Sequence, residues 1–209
     1  MNLEPFDWNV VIVGYWNRAI LTPAGIGRRL FELEDGIPVL VEVPMDGLAP
    51  HRVKYSDLTV TAETSRLVVH ADVPKYELLD RARKIAVRAI ESLPETPLSA
   101  AGFNVRMRIK EPSDELLTSL MSGVDNSLSD AGFEIHSRSL RRRLKLQDGL
   151  LNLDIEESED FSVVLNFDRQ SSKKGDLITW LQMPIIEVEN VVGHIFQKVL
   201  QTKLEGVGR

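Results

Sequence analysis

The chain has no cysteine. That absence excludes disulfides, thiolate zinc sites, iron–sulfur clusters and cysteine nucleophiles together. It does not discriminate between compartments. Long hydrophobic runs are missing too: the most apolar stretch, Val10 to Val13, is far shorter than the roughly 18 residues a membrane span requires. A basic leader is also lacking. The start, Met1-Asn2-Leu3-Glu4-Pro5-Phe6-Asp7, is acidic, whereas a secretory signal needs a basic start before an apolar core. The expectation is a cytoplasmic protein with no membrane partner.

Catalytic and metal-binding signatures are equally scarce. His51, His70, His136 and His194 show no metal-ligand spacing. No Gly-x-Ser-x-Gly elbow is present. Ala24-Gly25-Ile26-Gly27-Arg28-Arg29 holds a Gly-x-Gly, with neither a third glycine nor a following Gly-Lys-Ser/Thr. Gly25 and Gly27 therefore read as backbone-fitting residues at a helix start. The acidic stretch Asp154-Glu156-Glu157-Glu159-Asp160 lacks the loop glycine of a calcium site and reads as a solvated turn between strands. No cofactor or metal is expected, no catalytic residue is nominated, and the balance is against an enzyme.

What is present is an ordinary globular composition, 43% hydrophobic and 27% charged, which excludes disorder. With 25 Lys+Arg against 31 Asp+Glu, the formal charge is −6. That argues against a general nucleic-acid binder, which needs a cationic face. At 209 residues the chain makes one large domain or two small ones.

Along the chain, Asn9 to Ile20 reads as a strand, with Gly14 marking a bulge or a close backbone approach. Thr22-Pro23 caps a short helix through Leu33. Ile37 to Val43 reads as an edge strand, because Pro38 near its start cannot donate to a ladder. A loop through Pro44, Asp46, Gly47 and Pro50 follows, then strands at Leu58–Thr61 and Arg66–Ala71. Tyr76, Leu79, Ala82, Ile85, Ala86, Ala89, Ile90 and Leu93 form the buried stripe of a helix that Pro94 and Pro97 stop. This boundary divides residues 1–95 from 96–209, as two α+β halves or one continuous domain.

In the second half, Phe103, Val105, Met107 and Ile109 alternate with polar residues, the period of a half-buried strand. Ser113 caps a helix with a stripe from Leu116 to Leu128, closed at Gly132. Strands are expected at Phe133–Leu146, Leu150–Glu156 and Phe161–Asp168, then a loop over 171–175. A last helix from Pro184 buries Ile185, Val188, Val192, Ile195 and Val199, with Phe196 and Leu200, and places His194 at the core edge.

Tight turns rather than helices link neighbouring strands. The fold class is therefore α+β, a mostly antiparallel sheet with long amphipathic helices on one face. Both halves run strand, helix, meander, helix. Val53-Lys54-Tyr55-Ser56-Asp57 resembles Leu144-Lys145-Leu146-Gln147-Asp148, and Leu67–Asp72 resembles Val163–Asp168. The pattern suits an internal duplication, although short strand–turn–strand segments also share such patterns by chance. In element order alone it looks like the TATA-binding-protein-like and helix-grip architectures, a likeness that implies no function.

Asp148-Gly149 is a two-residue turn signal. Closing the hairpin there sets Lys145 against Asn152, Arg143 against Asp154 and Arg141 against Glu156, which makes the arginines partners in cross-strand pairs. Arg106 and Arg108, with Asn104, form a second polar stripe. If the halves lie side by side, Arg18, Asn104, Arg106, Arg108, Arg141 and Arg143 converge on one face. Forked guanidinium groups there suit a carboxylate or phosphate. The competing explanation is a solvated face on which acids cancel the field. Trp8, Trp16 and Trp180 are interface anchors if exposed and core residues otherwise. The sequence thus favours a non-enzymatic interaction or assembly module, with a protein partner or self-association. The alternative is an anionic small-molecule binder or enzyme on the arginine-bearing face.

Overall fold

The computed structural model describes residues 3–45, 49–157 and 161–200. The strands form a ten-stranded antiparallel sheet. β1 (Leu3–Pro5) and β2 (Trp8–Gly14) lie end to end along β7 (Leu98–Ile109). Between them Asp7 takes a left-handed φ of 44°, a break that hides β1 from a periodicity argument. β3 (Leu40–Glu42), β4 (Arg52–Tyr55), β5 (Leu58–Ala62) and β6 (Arg66–Ala71) flank β2, and β10 (Phe161–Gln170), β9 (Gly149–Glu157) and β8 (Arg138–Leu146) flank β7. The order is β3-β4-β5-β6-β2-β7-β10-β9-β8. The β2–β7 pair thus joins the segments on either side of Pro94 and Pro97 into one sheet.

Alternation decides the two faces. Trp8, Val10 and Ile12 on β2, Phe103, Val105 and Met107 on β7, and Val163, Leu165 and Phe167 on β10 all point into one core. Phe103 and Phe167 stack there with centroids 4.6 Å apart. α2 (Tyr76–Ser92) covers β2 and β6, while α5 (Lys174–Leu181) covers β7 and β10. The expected stripe of α2 is buried along its whole length, and so is Arg83, at 2% exposure. Its Nη1 donates to the Met183 carbonyl at 2.6 Å, its Nη2 to Asp80 at 2.7 Å, and its guanidinium lies 5.2 Å from the Phe103 ring centroid. Burial holds its pKa below the ordinary value and Asp80 opposes that shift. The charge ties α2 to the link between α5 and α6 (Ile185–His194).

The caps follow the sequence. Thr22 Oγ1 accepts from Gly25 N at 3.1 Å and Pro23 opens α1 (Pro23–Arg29), which ends before Leu33. Ser113 Oγ accepts from Leu116 N at 3.3 Å. Gly14 marks both a register shift and a close approach, since a Cβ there would meet Leu98 and the Pro97 carbonyl.

Several expectations need correction. β4 falls between the expected loop and the strand expected from Leu58, in residues the sequence pattern leaves unassigned, and Val53 is its one fully buried side chain. The helix after Ser113 is two, α3 (Asp114–Leu120) and α4 (Gly123–Asp130), broken where Met121 and Ser122 are extended. Leu116 and Leu120 are buried, whereas Val124 and Leu128 are exposed. The expected loop over 171–175 runs into α5, whose start is held by Ser171 Oγ donating to Asp176. Pro184 caps α6 rather than opening it, Val199 is exposed, and His194 faces solvent. All three tryptophans are buried, so none is a surface anchor. Asp46 and Gly47, and Glu159 and Asp160, lie outside the described residues. No described helix is long and apolar enough to cross a membrane.

Truncating Arg83 tests its role. Arg83→Ala leaves a void beside Phe103 and an unpaired Met183 carbonyl, and should cost about 3–5 kcal/mol in urea denaturation. Arg83→Met keeps the volume and should cost about 1–3 kcal/mol. Equal, negligible losses would show that the bridge carries no stability.

Candidate binding face of the sheet

The face opposite the core is polar, and its side chains fall into rows across the strands. The central row runs Arg143, Asn152, Asn166, Asn104, Asn9, each in register with the next. Arg143 Nε donates to Asn152 Oδ1 at 3.3 Å. Three amide-to-amide bonds of 2.8 Å follow, Asn152 to Asn166, Asn166 to Asn104, and Asn104 to Asn9. Asn9 Nδ2 then donates to the Asp7 carbonyl at 3.2 Å and to its carboxylate at 3.3 Å. A guanidinium, which only donates, stands at one end and a carboxylate, which only accepts, at the other. These ends orient every amide between them. Asn9 and Asn104 are almost fully buried although they point away from the apolar core.

One flanking row explains the arginines. Arg106 ion-pairs with Asp7, whose carboxylate also lies 3.1 Å from His70 Nδ1. Burial holds the His70 imidazole below its ordinary pKa, and Arg52 lowers it further. The charge of Asp72 opposes this shift without reversing it. Arg108 lies 4.9 Å from the centroid of the Phe6 ring. Arg141 pairs with Asp154 at 3.0 Å.

The six candidate anion ligands therefore do not form one cluster. Arg106 and Arg141 share a row, but Val164 and Asp154 stand between them, a separation of about 14 Å at the usual strand spacing. Asn104 and Arg143 are linked only through the ladder. Arg18 lies off the face altogether, in a cleft of 630 Å³ with Tyr15, Trp16, Leu93, Pro94 and Glu95. Among the described residues no group of three or more His, Asp or Glu could hold a metal ion.

The hairpin carrying Arg141 and Arg143 also differs from expectation. Its turn is Gln147-Asp148, with Gln147 at φ 49°, and Leu146 faces Gly149. Arg141 therefore meets Asp154 and Arg143 meets Asn152, a two-residue slip that preserves the faces. Gly149 serves a different need. A Cβ there would come within 2.7 Å of both the Trp180 ring and the Asp168 carbonyl. The sequence places Asn104 and Asn152 in polar stripes of two different strands but does not set them against each other. Asn9, Asn152 and Asn166 carry the same signal, one amide in the polar phase of each strand, but register alone unites them.

β8 closes this side of the sheet. Among the described residues β9 is its only strand partner. Arg142, Arg143 and Lys145 have no carboxylate partner there, and all three are exposed. Comparison with protein-family models, curated proteins and solved structures yields no match.

The ladder makes a directional prediction. Asn104→Leu strands Asn9 Oδ1 and Asn166 Nδ2 and should cost about 1–3 kcal/mol. Asn104→Asp sets a carboxylate against Asn9 Oδ1, which raises its pKa in the folded state. The folded state then binds the proton more tightly than the unfolded state. Its stability deficit relative to the parent should shrink as pH falls from about 7 to about 4. A deficit independent of pH would refute the assigned amide orientation.

Proposed function

We propose that the protein is a non-enzymatic interaction module that docks a protein partner at the β8 side of its open sheet face. The observation that carries this is β8 itself, a nine-residue edge strand whose Arg143 and Lys145 stand on that face without carboxylate partners among the described residues. Self-association through two β8 strands is disfavoured, because it would set arginine against arginine.

We also propose that the two halves are copies of one unit. In support, each half opens with a central strand, β2 or β7, bonded to the last strand of its own meander, β6 or β10. Asn9 and Asn104 face each other in the central pair. The two-residue turns Ser56-Asp57 and Gln147-Asp148 each open on a left-handed residue, at φ 54° and 49°. The halves then correspond to residues 1–95 and 96–209.

A photo-crosslinking residue at Ser139 on β8, in cells producing the protein, should yield a discrete protein adduct. The same residue at Lys84, on the helix side, should not, and Arg143→Glu should abolish the Ser139 adduct. No adduct at Ser139, or the same adducts from both sites, would overturn the docking proposal.

A second reading, small-molecule binding, is favoured by the cleft at Arg18. Its 630 Å³ falls in the ligand-pocket range, and Arg18 makes no hydrogen bond or ion pair among the described residues. An apolar carboxylate such as benzoate should raise the melting temperature of the parent but not of Arg18→Ala. No shift in the parent would remove this reading.

A further inference from the structure

We infer that β8 accepts an added antiparallel strand from its partner, an extended segment alternating acidic and apolar residues. This rests on the docking proposal and on the correspondence of the halves, and names the chemistry of the partner. The two turns align Arg52-Val53-Lys54 of β4 with Arg143-Leu144-Lys145 of β8. In the first half the outer edge of β4 is covered by β3, with Leu40 opposite Lys54, Val41 opposite Val53 and Glu42 opposite Arg52. Glu42 pairs with Arg52 at 3.3 Å. In the second half the same edge has no covering strand among the described residues. The chain between β7 and β8 forms α3 and α4 instead.

The backbone of that edge is available. The Gln147-Asp148 turn closes on the pair Leu146 and Gly149, and bonded pairs alternate along an antiparallel ladder. Arg141, Arg143 and Lys145 therefore turn their N–H and C=O groups outward. The Arg142 guanidinium already donates to the Arg141 carbonyl at 2.8 Å, as an outward carbonyl allows. An added strand would place every second side chain beside Arg141, Arg143 and Lys145, where carboxylates fit. The intervening side chains would lie on the side of Leu140, Arg142 and Leu144, where apolar groups fit beside Leu140 and beside Leu144, which is 37% exposed, while the Arg142 guanidinium between them is turned back onto the Arg141 carbonyl. Main-chain bonds would supply affinity and the charges selectivity. A polyphosphate suits this edge less well, because Asp154 and Glu156 on β9 and Asp168 on β10 share the same face.

The test uses the full chain and a nine-residue peptide alternating Glu and Val, read by fluorescence anisotropy. A Lys/Val peptide and a single-stranded oligonucleotide serve as comparisons. The acidic peptide should bind about tenfold or more tightly than the basic one, and Arg143→Glu with Lys145→Glu should reverse the order. Arg143→Pro removes one outward donor at a position an edge strand tolerates, and should weaken binding about tenfold. Amide exchange should slow at Arg141, Arg143 and Lys145 when the acidic peptide is present. Equal binding of both peptides, tighter binding of the oligonucleotide, or unchanged exchange would overturn strand addition. If the Ser139 adduct still forms in that case, the docking proposal stands and only its strand chemistry fails; loss of both ends both.

Discussion

A single line of side-chain hydrogen bonds holds five strands in register, from the Arg143 guanidinium through Asn152, Asn166, Asn104 and Asn9 to Asp7. Asparagine is a poor strand former, so four of them within strands are locally unfavourable. They become favourable only when each meets the next. A one-residue slip of any strand would turn its amide into the apolar core, and a two-residue slip would leave the amide opposite the wrong neighbour. Each bond contributes only about 1 kcal/mol net, but aligned amide dipoles polarise one another. The same strands carry the Phe103–Phe167 stack on their other face, one residue along from Asn104 and Asn166. The centre of the sheet is thus fixed from both sides.

With register set, the rest of the architecture is constrained. The apolar phase of every central strand must face one way, so α2, α5 and α6 gather on that side. Arg83 is the polar group buried among them, and it satisfies the Met183 carbonyl where the chain turns from α5 into α6. Such a cation is costly to bury, and Asp80 and the Phe103 ring offset part of that cost. Contacts joining the first and second halves include the β1–β7 and β2–β7 ladders, the amide row, the Asp7–Arg106 pair, and Arg83 reaching from α2 to Met183. What remains for a partner is the polar face, the cleft at Arg18, and the ends of the sheet.

Features set by local physics were legible in the sequence. The stripe of α2, the alternation of β7 and the caps at Thr22 and Ser113 depend on neighbours within a few residues, and each was read correctly. β1 was hidden by the left-handed Asp7, β4 by having one deeply buried residue, and α5 by a polar start that only Ser171 and Asp176 hold together. The arginine site depended on register and on spatial convergence. Asp148-Gly149 looked like a turn, but Gly149 is small because Trp180 packs against it, a contact no local pattern contains. That one misplaced turn shifted every expected partner of Arg141 and Arg143 by two residues. Arg18 was grouped with the other arginines by residue type alone, and the fold sends it to the cleft instead.

The two edges of the sheet manage exposure differently, and the difference bears on function. β3 is three residues long and preceded by Pro38, so its outer edge offers little to pair with. β8 is nine residues long, and its core side carries Leu140 and Leu146, packed against the core, with Arg142 and Leu144 between them. Its cations forbid one particular neighbour, another β8, since like charges directly opposite repel. Under the docking proposal the same charges favour a strand of the opposite sign, so exclusion of the wrong partner and selection of the right one would come from a single arrangement. β3 shows within this chain how the pairing is made, with Glu42 on Arg52 and Val41 beside Val53. If the halves are copies of one unit, β8 stands where β4 does, and the position that β3 fills beside β4 is the one the proposed partner strand would take.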